Sequence, residues 1–178
     1  KNYKGRKAQA EEVRGMLQDQ VKFITDMAKS NDSLLGYEEL VIFARGLSSG
    51  MRTPMRQAAN VRYFGVGVES ISSNKRSKEL EYEHMIPASF MTMELIQSYL
   101  NNGKVSSNFW EGFHVAIIPK TKDTALTKSG LRDSMNIGWR KGMPTWMRYF
   151  NDQTFGKEGL VALKDLSNNK IIANKFGS

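Results

Sequence analysis

The stretch FHVAIIP, residues 113–119, is the strongest strand signal in the chain. Val115, Ile117 and Ile118 are β-branched and favour extended backbone, and Pro119 bounds the run. A short helix is predicted from about Asp123 to Lys128, closed by Gly130. Residues 113–130 therefore predict a buried strand that leads into a helix.

Shorter strand signals lie on both sides of this stretch. VRYFGVGVES (61–70) is β-branched and aromatic with alternating glycines, and LEYEHMI (80–86) alternates polar and apolar residues. The polar loop 71–79 would join these two as antiparallel strands. Near the C-terminus, GLVALKDL and KIIAN predict a strand pair joined by a turn at Asn168 and Asn169.

Helical periodicity dominates the first sixty residues. Apolar residues recur at three- and four-residue steps over 7–29, a second helix is predicted over 37–45, and Thr53 with Pro54 is a typical start for a third. Residues 87–100 are also helical, with Gly103 as the left-handed cap; the face predicted to be buried contains Phe90, Met93, Ile96, Gln97 and Leu100. We expect an α+β protein with a helical segment, 1–60, and an α+β domain, 61–178, whose C-terminal part is basic and aromatic.

Composition narrows the classes of function. The 178 residues include no cysteine, which excludes disulfides and thiolate metal sites. No apolar run approaches the roughly 18 residues that span a bilayer, and no signal-peptide pattern is present. We therefore expect no membrane segment and a cytoplasmic or virion-associated location.

The net charge of +8 favours a polyanionic partner. The stretch 120–148 holds seven basic residues against Asp123 and Asp133, which gives +5 of that total. We predict that the seven contact nucleic acid, DNA rather than RNA: Lys120, Lys122, Lys128, Arg132, Arg140, Lys141 and Arg148. The aromatic residues interleaved from 139 to 150 would either stack on bases or cap the core.

One of the two histidines, His84, follows Glu83 where a predicted strand ends. Hydrolysis of a phosphodiester needs a base to activate water, and a cation to neutralise developing charge. Imidazole suits the first task and carboxylate oxygens suit a magnesium-type ion. At the end of a strand the pleat need not place neighbouring side chains on opposite faces, so Glu83 and His84 could both serve one site.

The sequence EHMIP, 83–87, resembles the first motif of the HNH, or His-Me finger, endonucleases, and VAIIPKTKDTALTKSG, 115–130, resembles their second strand and following helix. The resemblance covers roughly residues 80–130 and implies a ββα-metal core. It implies that His84 is the general base and that Glu83 and Asp123 bind a divalent metal, magnesium or manganese, in a metal-dependent endonuclease acting on DNA.

Other interpretations of the same residues remain open. His84 could be a structural histidine on a hairpin, His114 is interpreted as structural, and Asp123 suits a helix N-cap. The segments EYEHMIPASFM (81–91), AIIPK (116–120) and MPTWMRYFND (143–152) also look similar to parts of large tailed-phage polypeptides. That likeness implies, as the alternative, a non-catalytic virion or DNA-associated protein with a degenerate nuclease-like fold and other virion proteins as partners.

Overall fold

The computed structural model describes residues 3–30, 36–71, 75–150, 152–155 and 159–172. Helices and a sheet are both present, which confirms the α+β class. The chain divides into two compact units, one formed by residues 1–60 and 88–111 and the other by 61–87 and 112–178. This division shares the predicted break after residue 60 but groups 88–111 with the helical residues.

The helical unit consists of four α-helices in its described residues, with a 3-10 turn at Ser48–Met51. They are α1 (Tyr3–Ser30), α2 (Tyr37–Leu47), α3 (Arg52–Gln57) and α5 (Ala88–Asn102). Helix α5 contacts the other three. Leu17, Met55 and Leu95 are completely buried in this unit, so α5 supplies a share of its core.

The α+β unit is organised around a sheet with the strand order β2-β3-β1-β4-β5 among the described residues. Its strands are β1 (Asn60–Gly65), β2 (Leu80–His84), β3 (His114–Pro119), β4 (Leu163–Asp165) and β5 (Ile171–Ile172). Its helices are α4 (Arg76–Glu79), α6 (Lys120–Lys128) and α7 (Asp152–Phe155). No described helix has the length and apolarity needed to cross a membrane.

The strand predicted from FHVAIIP is confirmed as β3, and it lies between β2 and β1. The predicted hairpin between residues 61–70 and 80–86 is therefore wrong, because β3 separates those two strands. Strands β2 and β3 pair antiparallel, with His84 opposite Val115. The pair β4–β5 is confirmed as antiparallel, and Asn169 takes the positive φ of 60° in its turn.

Two helix details differ from the predictions and a third agrees with them. Helix α3 begins at Arg52, straight after the 3-10 turn, and Met51 rather than Thr53 is at the N-cap. Helix α5 buries Met91, Leu95 and Tyr99 beside Ile96 and Leu100, so the predicted face was rotated towards Phe90 and Met93. The left-handed Gly103 that follows α5 is confirmed, with φ of 65°.

The two faces of the sheet are covered by different residues. Ala116 and Ile118 of β3 pack in a core with Leu126 of α6 and with Tyr149 and Phe150, whereas Ile117 packs on the opposite face with Val68 and Leu80. Successive side chains of a strand point to opposite faces, and residues paired across two strands share a face. This alternation decides where the predicted site residues point.

Candidate functional site

The candidate site begins at the end of β2, where Glu83 and His84 diverge. Glu83 pairs with Ala116, so its side chain lies on the α6 face of the sheet. His84 pairs with Val115, on the face of Ile117, and its ring centroid lies 5.9 Å from that of Phe113. The pleat therefore separates the two neighbours that the sequence placed side by side.

Glu83 is buried, with 7% of its side chain exposed, and it faces two residues of the 3-10 helix Thr145–Tyr149. Its Oε1 accepts a hydrogen bond from Nη1 of Arg148 at 2.6 Å, and its Oε2 accepts one from the hydroxyl of Tyr149. Both carboxylate oxygens thus have a partner within the protein.

Arg148 links three segments through one guanidinium. Besides Glu83, Nη1 donates to the carbonyl of His84 at 2.7 Å. Nη2 donates to the carbonyls of Leu131 and Arg132, the latter at 3.2 Å. The side chain is 1% exposed. The prediction that Arg148 contacts nucleic acid is therefore corrected, because its guanidinium is buried and donates to groups inside the protein.

Asp123 lies in the first turn of α6 rather than at its N-cap, which is Pro119. A carboxylate in that turn stabilises the helix by interacting with its dipole. Burial and the charge of Glu81 raise the pKa of Asp123, while Arg148 and Arg132 lower it. Asp123 also contributes to the raised pKa of Glu83, so the structure brings these two predicted metal ligands within electrostatic reach of each other.

The predicted metal site does not fit this arrangement. The guanidinium of Arg148 occupies the position next to the Glu83 carboxylate that a bound metal ion would need. Among the described residues, no group of three or more acidic or histidine side chains could hold a metal ion. His84, the predicted base, is half-buried and lies against Phe113 rather than on the carboxylate face.

The other six residues predicted to contact nucleic acid are at least partly accessible to solvent. Lys120, Lys128, Arg132, Arg140 and Lys141 are exposed and Lys122 is half-buried. They belong to α6 and the segment that follows it, all within the α+β unit. Exposed guanidinium and ammonium groups on one short segment can neutralise several phosphates of a backbone.

A second polar cluster, which the sequence analysis missed, joins β1, β3 and β4. Arg62 binds both carboxylate oxygens of Asp165, at 3.4 and 3.1 Å, and its Nη1 lies 3.4 Å from Nε2 of His114. Ser167 donates its backbone N–H and its hydroxyl to Asp165. This network holds the β4–β5 turn and gives His114 a structural environment. Only the strand order, which the sequence did not indicate, brings Arg62 and His114 together.

Comparison of the chain with protein-family models, curated proteins and solved structures gave no match. The resemblance to the HNH endonucleases therefore rests on the motif at residues 83–87 and on the strand–helix segment after it.

The first prediction concerns the buried ion pair. Replacing Arg148 with Ala leaves the Glu83 carboxyl buried without its cation, and the loss of a partner from a buried pair costs about 3–5 kcal/mol. Urea unfolding of Arg148→Ala should show a loss of this size, whereas Arg140→Ala, at an exposed arginine, should change stability by less than about 0.5 kcal/mol. Equal stability of the two variants would contradict the role assigned to Arg148.

The second prediction concerns pH. Burial raises the pKa of Glu83 to about 7, against the opposing influence of Arg148 and Tyr149. A carboxyl group whose pKa is higher in the folded state than in the unfolded state favours folding at low pH, where it is protonated. For Glu83 this contribution is complete below the unfolded-state pKa of 4.5 and is lost as the pH rises towards 7. The stability of wild type relative to Glu83→Gln should therefore fall across this interval. Unfolding both proteins in urea at several pH values measures the difference, and a rising difference would contradict the raised pKa.

Proposed function

We propose that the protein binds DNA through the basic segment that runs from α6 to Lys141. The observation that carries this proposal is the exposure of five cations in that segment: Lys120, Lys128, Arg132, Arg140 and Lys141. Arg148, although basic, is used to organise the protein interior. The charge available to a partner is therefore concentrated on α6 and the segment after it.

The chemistry of this surface favours backbone contacts over reading of sequence. Lysine and arginine side chains bind phosphates of any sequence and release condensed counterions. Association should then weaken steeply with salt. A protein that binds DNA in this way without cleaving it would match the alternative given by the sequence, a non-catalytic protein associated with the virion or with DNA.

The third prediction tests the basic segment. Each neutralised phosphate contributes roughly −0.9 to the slope of log K against log salt, so replacing all five cations with Gln should make the slope shallower by about 4.5. Fluorescence anisotropy of a labelled duplex at several salt concentrations measures this. The double variant Lys104→Gln/Lys170→Gln, at exposed lysines outside the segment, is the control. A slope that changes equally in both variants would argue against a specific basic surface.

Metal-dependent cleavage of DNA is the second candidate function. The observation in its favour is that β2, which ends at His84, pairs with β3, and that β3 leads directly into α6 with Asp123, as in a ββα unit, although α5 is inserted between the two strands. Cleavage by this arrangement would require Glu83 to exchange Arg148 for a metal ion, because both of its oxygens have partners inside the protein.

The fourth prediction separates this candidate from binding alone. If His84 is the general base, plasmid nicking in magnesium or manganese should fall by 10²-fold or more in His84→Ala, since general-base catalysis contributes that much. His114→Gln, at the other histidine, should retain nicking. Nicking that survives in His84→Ala removes His84 as the base, and DNA binding without any nicking leaves only the first proposal.

A further inference from the structure

Two consecutive β-turns of one kind follow α6. The N–H of Trp139 donates to the carbonyl of Asn136, and the N–H of Met143 donates to that of Arg140, both at 3.0 Å. Gly138 and Gly142 occupy the third position of each turn with φ of 82° and 96°. A positive φ at that position is the mark of a type II turn and favours glycine. The sequences NIGW and RKGM therefore repeat one turn four residues apart. We name residues 136–143 the tandem-turn loop.

Each turn displays its second residue at a corner. In the first turn that residue is Ile137, whose exposure of 106% makes it fully accessible to solvent. In the second it is the exposed Lys141, next to the exposed Arg140. A single exposed isoleucine is common on protein surfaces. Here, however, a defined turn holds it three and four residues before two exposed cations, so one short loop carries both an apolar tip and two positive charges.

The loop is fastened at its first residue, and the chain between α6 and the loop is fastened as well. The guanidinium of Arg148 binds the carbonyls of Leu131 and Arg132, which lie between α6 and the loop. The amide of Asn136 donates to the carbonyl of Met147 at 2.8 Å. A loop that is already ordered loses less conformational entropy when it binds a partner, which favours affinity.

The combination of an apolar tip and flanking cations matches one partner in particular. In DNA, stacked bases form an apolar interior between two rows of phosphates, and architectural proteins insert isoleucine or methionine side chains between base steps. A membrane-binding helix, in contrast, needs an extended apolar face, which Ile137 and the less exposed Met143, on two successive turns, do not supply. We propose that Ile137 inserts between stacked base pairs of DNA while Arg140 and Lys141 bind the adjacent phosphates. This inference rests on the proposed function and adds the way in which the DNA is engaged.

The fifth prediction uses the full chain and a DNA duplex that contains 2-aminopurine, whose fluorescence rises when its stacking is disturbed. Wild type should raise this fluorescence on binding, whereas Ile137→Ala should not, and it should bind about tenfold more weakly because less apolar surface is buried. Ile171→Ala is the matched control, since Ile171 of β5 is also exposed, at 61%. It should behave as wild type does. The salt slope should be unchanged in both variants because no charge is removed.

The possible failures are distinguishable. If wild type does not bind the duplex, both the proposed function and this inference fall. If wild type binds with its normal salt dependence but leaves 2-aminopurine fluorescence unchanged, or if Ile137→Ala gives the same increase as wild type, only the insertion of Ile137 is refuted. Binding of wild type, but not of Ile137→Ala, to phosphatidylserine vesicles without any effect on the duplex would assign the tip to lipid and overturn the inference.

Discussion

The buried ion pair between Arg148 and Glu83 is the constraint on which the α+β unit depends. A charged group in an apolar interior is costly unless its hydrogen bonds are satisfied. The pair meets most of that requirement by extending beyond itself, to Tyr149 on the acidic side and to the carbonyls of His84, Leu131 and Arg132 on the basic side, and Nε of Arg148 is the guanidinium nitrogen that has no hydrogen-bond partner among the described residues. One guanidinium thus fixes the end of β2 and two residues shortly before the tandem-turn loop, within the segment that carries the exposed cations. Arg148 therefore binds both Glu83, the carboxylate that most resembles a metal ligand, and the backbone of the segment proposed to bind DNA.

Local patterns predicted individual elements more successfully than the pairing between them. Strand β3 and the left-handed Gly103 after α5 were predicted because each depends on a few neighbouring residues. The hairpin between β1 and β2 was wrong because no local pattern shows that β3, which follows later in the chain, separates them. In α5, the predicted face was displaced because Met91 and Met93 are equally apolar in the sequence. Only packing against α1, α2 and α3 distinguishes the buried residue from the half-buried one.

At the candidate site, too, local patterns in the sequence did not show which distant residues each side chain contacts. Glu83 and His84 were interpreted together because they are adjacent, but the pleat of β2 continues to the strand end and turns them to opposite faces. Arg148 was interpreted as a surface cation because its charge partner is distant along the chain. Its aromatic neighbours Tyr149 and Phe150, both buried, were the available signal for a core position. The five exposed cations from Lys120 to Lys141 lie where the pattern of charge in the sequence indicates a basic surface.

The grouping of residues 88–111 with the first sixty has a consequence for the order of events during synthesis. Helices α1, α2 and α3 are synthesised before α5, which contacts all three and follows only after β1 and β2 have been made. Domains generally fold as units, beginning at the N-terminus as the chain emerges. In this protein the helical unit has to keep part of its apolar surface uncovered until the α+β unit is partly translated. Strand β2 must in turn wait for β3, which lies beyond the same insertion. The nascent chain therefore passes through an interval in which neither unit is complete, and that interval is when chaperone binding or aggregation would compete with folding.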